Sequence, residues 1–223
     1  MRFSRVLLTL FLANSPKKNC VSALKRSSAR MSTVGSAINA DGTLRHYVKP
    51  TPTTPACIAA SNGDTVALST FRWTDLSAAD TTGNNCLIWA ADRGQCAAVE
   101  LLLAAAERED PASVNTRGYI GNTALARAAR GGHVECVVAL LARSSQINPN
   151  LPNDKKQYPL HFAAFKRHPA VVQALLASPL TDTTVTDRKG RTPAEDTSDA
   201  AIRDMILSAR QRRLGVSPGP PSL

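Results

Sequence analysis

Aromatic residues are scarce: five Phe, three Tyr and two Trp make up 4% of 223 residues. A β-sandwich or barrel draws its core from Val, Tyr, Phe and Trp, so this poverty argues for thin helices packed through Ala and Leu. Hydrophobic residues still reach 43%, an ordinary share for one folded domain plus tails. The five cysteines, Cys20, Cys57, Cys86, Cys96 and Cys136, include no CxxC pair and no Cys/His zinc spacing. An odd number without such spacing predicts buried, reduced thiols and argues against an oxidising compartment. The N-terminal apolar run, Val6 to Ala13, falls far short of the roughly 20 residues a membrane helix needs. No GxGxxG, Walker loop or GxSxG occurs, and the carboxylates and four histidines, His46, His133, His161 and His168, form no convergent set. The expectation is a protein that is not an enzyme, with no cofactor, no metal and no membrane partner.

Acid is missing altogether from residues 1–40, which hold Arg2, Arg5, Lys17, Lys18, Lys25, Arg26 and Arg30. Seven of the ten net positive charges therefore lie in that extension, and the remainder carries no nucleic-acid motif. No nucleic-acid partner is expected. Three readings compete for the extension. A signal peptide fits the basic start and apolar middle, but Pro16 directly after Ser15 makes a poor cleavage junction. A mitochondrial presequence fits the Arg, the Ser and the missing acid. The third reading takes Met31 as the true start, with a disordered leader on a cytosolic protein. A cytoplasmic location is expected, with the mitochondrion through residues 1–40 as the alternative. At the other end, residues 211–223 read as a disordered Pro/Gly tail.

What is abundant is a repeated unit. GNTALARAARGGHVECVVALL, Gly121 to Leu141, reads as two short helices around a Gly131-Gly132 turn. Neither helix can enclose its apolar face alone, so the unit must stack on others of its shape. Fainter copies lie at Thr54 to Asp64, Gly83 to Gln95, Tyr158 to His168 and Gly190 to Thr197. Equivalent positions Thr54, Asn85, Thr123, Tyr158 and Thr192 are 31, 38, 35 and 34 residues apart. About five extra residues fall in AAAEREDPASVNTRGY and about two in INPNLPNDKKQ, where an irregular loop is expected.

TPxxxAAxxG at Thr54 to Gly63, YPLHFAA at Tyr158 to Ala164, GGH at Gly131 to His133 and DRKGRTP at Asp187 to Pro193 resemble the ankyrin repeat. The resemblance covers residues 50–210. It implies an all-α solenoid of about five repeats, helix-turn-helix pairs with β-hairpin or loop fingers, whose first and fifth copies are degenerate caps. Departures from the pattern are Asn85-Cys86 in place of Thr-Pro, Tyr158 in place of Thr, and Arg167 in place of the turn glycine. In such repeats the imidazoles at the places of His133, His161 and His168 tie one repeat to the next. The resemblance further implies a monomeric, non-enzymatic adaptor or scaffold binding a protein through a concave groove and finger tips. The alternative is a dedicated regulatory subunit or assembly chaperone of one complex, in the mitochondrion if residues 1–40 direct it there.

Helix geometry places the candidate binding residues. At 100° per residue, a side chain two places beyond an inward leucine points roughly 200° away from it. With Leu87, Ala90 and Ala91 inward, Trp89 is expected to face outward, in a row with Ile58, Arg127, Phe162 and Asp196. Arg93, Arg130 and Lys166 extend that groove surface. Trp89, Arg127 and Phe162 either form a cation–π ladder of about 0.5 to 2 kcal/mol per contact or fold down as inter-repeat packing. Finger-tip candidates are Thr82, Asn84, Tyr119, Ile120, Asn122, Lys155, Arg188, Lys189 and Arg191. The C-terminal fingers are the more basic, so an acidic partner segment is expected there.

Overall fold

The computed structural model describes residues 50–143 and 146–214. The expected extension at 1–40 and the tail beyond Leu214 lie outside them. Four repeats follow one local plan. An inner helix, capped by a side chain in three of the four, ends in a left-handed turn and is followed by an outer helix. The inner helices are α1 (Pro55–Asn62), α4 (Cys86–Arg93), α6 (Ala124–Gly131) and α8 (Pro159–Phe165). Their outer partners are α2 (Thr65–Thr70), α5 (Cys96–Glu109), α7 (Val134–Leu141) and α9 (Pro169–Ala177). A short α3 (Trp73–Ser77) follows α2, and a fifth pair, α10 (Pro193–Asp196) and α11 (Ala200–Arg213), closes the series.

Local chemistry explains each boundary. Thr54, Asn85 and Thr123 accept the amides of Cys57, Ile88 and Ala126 at 3.2, 3.0 and 3.2 Å. Asn85 thus does the capping work of the threonine it replaces. Tyr158 makes no such cap, and Pro159 begins α8 instead, at a position where its missing N–H is no loss. At the far end of the inner helices Gly63, Gly94 and Gly132 take φ of 75, 71 and 79°. Arg167 keeps the same left-handed turn at φ 58°, so the lost glycine did not change the geometry. His168 N accepts its place in that turn by donating to the Ala163 carbonyl at 3.0 Å, as His133 does to Ala128 at 3.1 Å.

Stacking follows from small residues. α1 packs on α4, α4 on α6, α6 on α8 and α8 on α10, while the outer helices pack in the same order. The alanine pairs Ala90-Ala91, Ala128-Ala129 and Ala163-Ala164 are fully buried at these seams, where a side chain of one carbon lets helices approach closely. One continuous core runs from Ala56 to Ile206.

Polar links cross every seam. Gln95 Nε2 donates to Ser61 O at 3.3 Å, His133 Nε2 to Asp92 O at 3.3 Å, and His168 Nε2 to Arg130 O at 3.3 Å. These three side chains occupy one equivalent position, the outer-helix entry, and each reaches back one repeat. His161 Nε2 donates forward to Arg191 O at 3.0 Å, and burial holds its imidazole below the usual histidine range, in the neutral form. The histidines therefore tie repeats together through main-chain oxygens.

Each turn glycine also lies under the next repeat's link. A Cβ on Gly94 would fall 2.5 Å from His133 Nδ1, and His133 cannot swing away without leaving Asp92 O. Gly94→Ala is expected to cost about 2 kcal/mol through strain and clash together. Gly190→Ala, with φ 75° but nothing within 4 Å, should cost only about half as much. Thermal unfolding of the two variants separates the terms.

Of the two finger forms expected, hairpin or loop, the fingers are loops closed by a hydrogen bond, with no strand among the described residues. Two other expectations need correction. The extra residues after the second repeat extend α5 to Glu109 and then form a 3-10 turn at Pro111–Asn115; alanine-rich sequence continues a helix at little entropic cost, whatever the loop proline suggests. Residues 211–213, expected in the tail, belong to α11. Arg213 donates to the carbonyl oxygens of Leu176, Ser178 and Thr181, which anchors the helix end to the preceding repeat.

Candidate partner-binding surface

The fingers are built by one recurring side chain. Each turn closes with a main-chain bond between its ends, Asp80 N to Asn84 O at 2.8 Å, and Gly118 to Asn122, Asn153 to Gln157 and Asp187 to Arg191 at 2.9 Å each. In three of the four, the first residue's Oδ1 also accepts two amides inside the turn. Asp80 takes Thr82 N and Asn84 N at 2.8 and 3.1 Å, Asn153 takes Lys155 N and Gln157 N at 2.9 Å each, and Asp187 takes Lys189 N and Arg191 N at 2.8 and 2.9 Å. Burial alone would raise the Asp80 and Asp187 carboxyls, but these donors outweigh it and hold both below the usual carboxylate range.

Gly118 leaves the second finger without that oxygen. Asn84 of the preceding finger supplies one instead, its Oδ1 accepting Tyr119 N at 2.9 Å. A Cβ on Gly118 would sit 2.3 Å from this oxygen, so the glycine makes room for its substitute. Asn122 continues the chain of links, donating to Tyr119 O at 3.0 Å and accepting from Asn153 Nδ2 at 3.2 Å. Asn84 and Asn122 were expected at exposed tips; they are 1% and 5% exposed and join finger to finger. Thr82 donates its hydroxyl to Asp80 Oδ1 at 2.6 Å, and Tyr119 and Ile120 are half-buried. Lys155, Arg188 and Lys189 are exposed as expected, with Arg188 donating to the Asp154 carbonyl at 2.9 Å.

The inner-helix row divides into two tiers. Ile58 remains 43% exposed, Phe162 is half-buried, and Arg93, Arg130 and Lys166 are open to solvent. Trp89 is only 2% exposed and Arg127 7%, so neither stands on an open groove surface. The reason is tertiary. A residue nine places after the finger's first residue lies beneath that finger. Trp89 Nε1 donates to Asp80 Oδ2 at 2.8 Å. Arg127 Nη2 reaches Tyr119 O at 3.5 Å, while its Nη1 pairs with Asp92 Oδ1 of the preceding repeat at 3.4 Å. Asp196, at the same position in the fifth repeat, pairs with Arg191 at 2.7 Å. Trp89, Arg127 and Asp196 were expected to face outward, but the finger folds over them.

Arg191 is consequently only partly available. Its guanidinium bridges Asp187 at 3.0 Å and Asp196 at 2.7 Å, and the bond to Asp187 leads the effects that hold it firmly protonated. Between the last two fingers lies a cleft of about 360 Å³, lined by Lys155, Arg188, Lys189 and Arg191 together with Phe165, Asp187 and Asp196. Phe165 is 58% exposed, with the Lys166 ammonium 5.8 Å from its ring centroid. No sequence signal marked Phe165, because the turn at Arg167 ends α8 early and leaves its last side chain at the rim. A larger recess of about 670 Å³ lies between α9 and α11, where Leu176 and Met205 mix with Asp204 and Arg212. Charges of both signs there give no directed field. Among the described residues no cluster of His, Cys, Asp or Glu could hold a metal ion, and no helix is long and apolar enough to cross a membrane. Residues 87–187 match the family model for ankyrin repeats, in three copies.

Proposed function

This chain is an ankyrin-repeat protein, and from that premise we propose that it binds an acidic segment of a partner protein across its last two fingers. Ankyrin repeats are generally protein–protein interaction modules, and such proteins are typically non-enzymatic. One observation carries the choice of partner chemistry. The two carboxylates in the cleft are turned inward onto Arg191, whereas Lys155, Arg188, Lys189 and the flanking Lys166 face solvent. The outward field is positive although acids are present. Phe165 adds an apolar contact at the centre of that field, so the best-fitting segment alternates carboxylates with an aliphatic side chain. Arg93 and Arg130 extend the cationic track along the earlier inner helices and suit a longer acidic segment.

The test uses the full chain and a fluorescein-labelled peptide of alternating Glu and Leu, with a Lys/Leu peptide as control, read by fluorescence anisotropy. The acidic peptide should bind at least about tenfold more tightly than the basic one and weaken as salt rises. A K155E/K189E double variant alters two exposed side chains and should lose about tenfold in affinity without a change in thermal midpoint. Equal affinity for the two peptides, or an unaffected double variant, removes this reading.

A further inference from the structure

The seam between the first and second repeats holds two thiols in contact. Cys57 and Cys86 are both 0% exposed, and their sulfur atoms lie 3.6 Å apart. Each stands in the first turn of an eight-residue helix, α1 and α4, where free amide N–H groups favour a thiolate. The neighbours are mild ones: the Asn84 carbonyl 3.8 Å from Cys57 Sγ and the Asp75 carbonyl 4.0 Å from Cys86 Sγ. Neither thiol caps a helix, and across the seam each meets only the other sulfur and a main-chain carbonyl at long range.

We propose that Cys57 and Cys86 form a reversible disulfide that braces the first repeat onto the second, closed by a peroxide and reopened by a thiol reductant. A disulfide sets its sulfurs about 2.05 Å apart, so the pair must approach by about 1.5 Å, shared between two side chains. Cys57 is the attacking sulfur. The hydrogen bond with Cys86 holds its thiol below the usual range, and the same contact, with burial, raises that of Cys86. Cys57 thiolate attacks one peroxide oxygen, the O–O bond breaks, and the departing oxygen takes up the proton that Cys57 gave. This leaves a sulfenic acid on Cys57. The Cys86 sulfur then displaces hydroxide from it, and the hydroxide leaves as water with the Cys86 proton. Two thiols are oxidised and one peroxide is reduced, giving one disulfide with water and an alcohol, or two waters from hydrogen peroxide.

Access comes from opening the first repeat. Its helices α1, α2 and α3 span only Pro55–Asn62, Thr65–Thr70 and Trp73–Ser77, so separating this unit exposes less apolar surface than opening a central one. Once closed, the bond ties down the whole of residues 57–86, including α2, α3 and the Asp80 turn. Cys96 and Cys136 are also neighbours, across the next seam, but they make an internal comparison. Burial pushes Cys136 up to about 12 and raises Cys96 as well, so neither offers a thiolate.

The experiment treats the reduced full chain with equimolar hydrogen peroxide and maps its peptides without reduction. The expected product is a peptide joined through Cys57 and Cys86, lighter by two hydrogens. Its thermal midpoint should rise by about 5 to 10 °C and fall back on adding dithiothreitol. Cys57→Ser and Cys86→Ser should each abolish both the link and the rise. Mapping of the unmodified chain does not depend on how those variants fold. If Cys57 and Cys86 remain alkylatable while Cys96 or Cys20 is oxidised, the proposal is wrong. Linkage of Cys57 to any other cysteine, or an unchanged midpoint on closure, overturns it equally.

Discussion

Trp89→Ala should lower the unfolding free energy by about 3 to 5 kcal/mol, the largest effect expected of any single change in this protein. Trp89 is among the largest fully buried side chains, set in α4 with Ile88 and Ala90-Ala91 on either side. Truncation leaves a cavity that helices pinned at both seams cannot collapse to fill. It also strips a donor from Asp80 Oδ2, whose carboxylate stays ionised in a buried turn because Thr82, Trp89 and Asn84 all donate to it. Trp89→Phe isolates the second loss, keeping most of the ring volume, and should cost about 1 to 2 kcal/mol.

The pH dependence has a definite sign. Asp80 titrates lower in the folded protein than in the unfolded chain, so its contribution is present above the unfolded carboxyl range near pH ~4 and is lost as pH falls through the folded value. Trp89→Phe should therefore narrow the gap between stability at neutral pH and stability in acid. Urea unfolding followed by circular dichroism at both pH values measures this. An alanine variant that unfolds like the parent would return Trp89 to the binding surface.

Arg127→Ala is the second large effect, about 2 to 3 kcal/mol. The guanidinium is almost wholly enclosed and holds Asp92 of the preceding repeat at 3.4 Å, with the Asp92 side chain 15% exposed. Removing the cation leaves that carboxylate largely desolvated without its partner. Removing both charges is less harmful than removing one. Arg127→Met with Asp92→Asn should recover much of the loss suffered by Arg127→Met alone, a coupling that a double-mutant cycle reads directly. Binding of the Glu/Leu peptide, compared at equal folded concentration, should be unchanged. A loss of peptide affinity at unchanged stability would make Arg127 an interface residue after all.

Repeat boundaries were legible because their causes are local. The Ala-Ala pairs, the capping position five places before the first of them and the turn residue three places after the second all lie within ten residues of chain. Even the departures resolved locally: Asn85 caps like Thr, and Arg167 adopts the glycine's backbone. The exposed cations Lys155, Arg188 and Lys189 were also legible, since polar side chains at the tip of a tight turn have little to cover them. Trp89, Arg127, Asn84 and Asn122 were not. Their environments come from residues distant in the chain, Asn84 from Tyr119 and Arg127 from Asp92, each 35 positions away.

The stack of helix pairs follows from the chain alone, because periodicity, caps and turn chemistry lie in neighbouring residues. Which outward side chains stay exposed depends instead on contacts between repeats. Each finger folds over the inner helix that follows it, and each repeat reaches back to the one before. The tryptophan and arginine that looked most fit for binding are thereby enclosed, and the binding surface we propose is instead the cleft around Phe165.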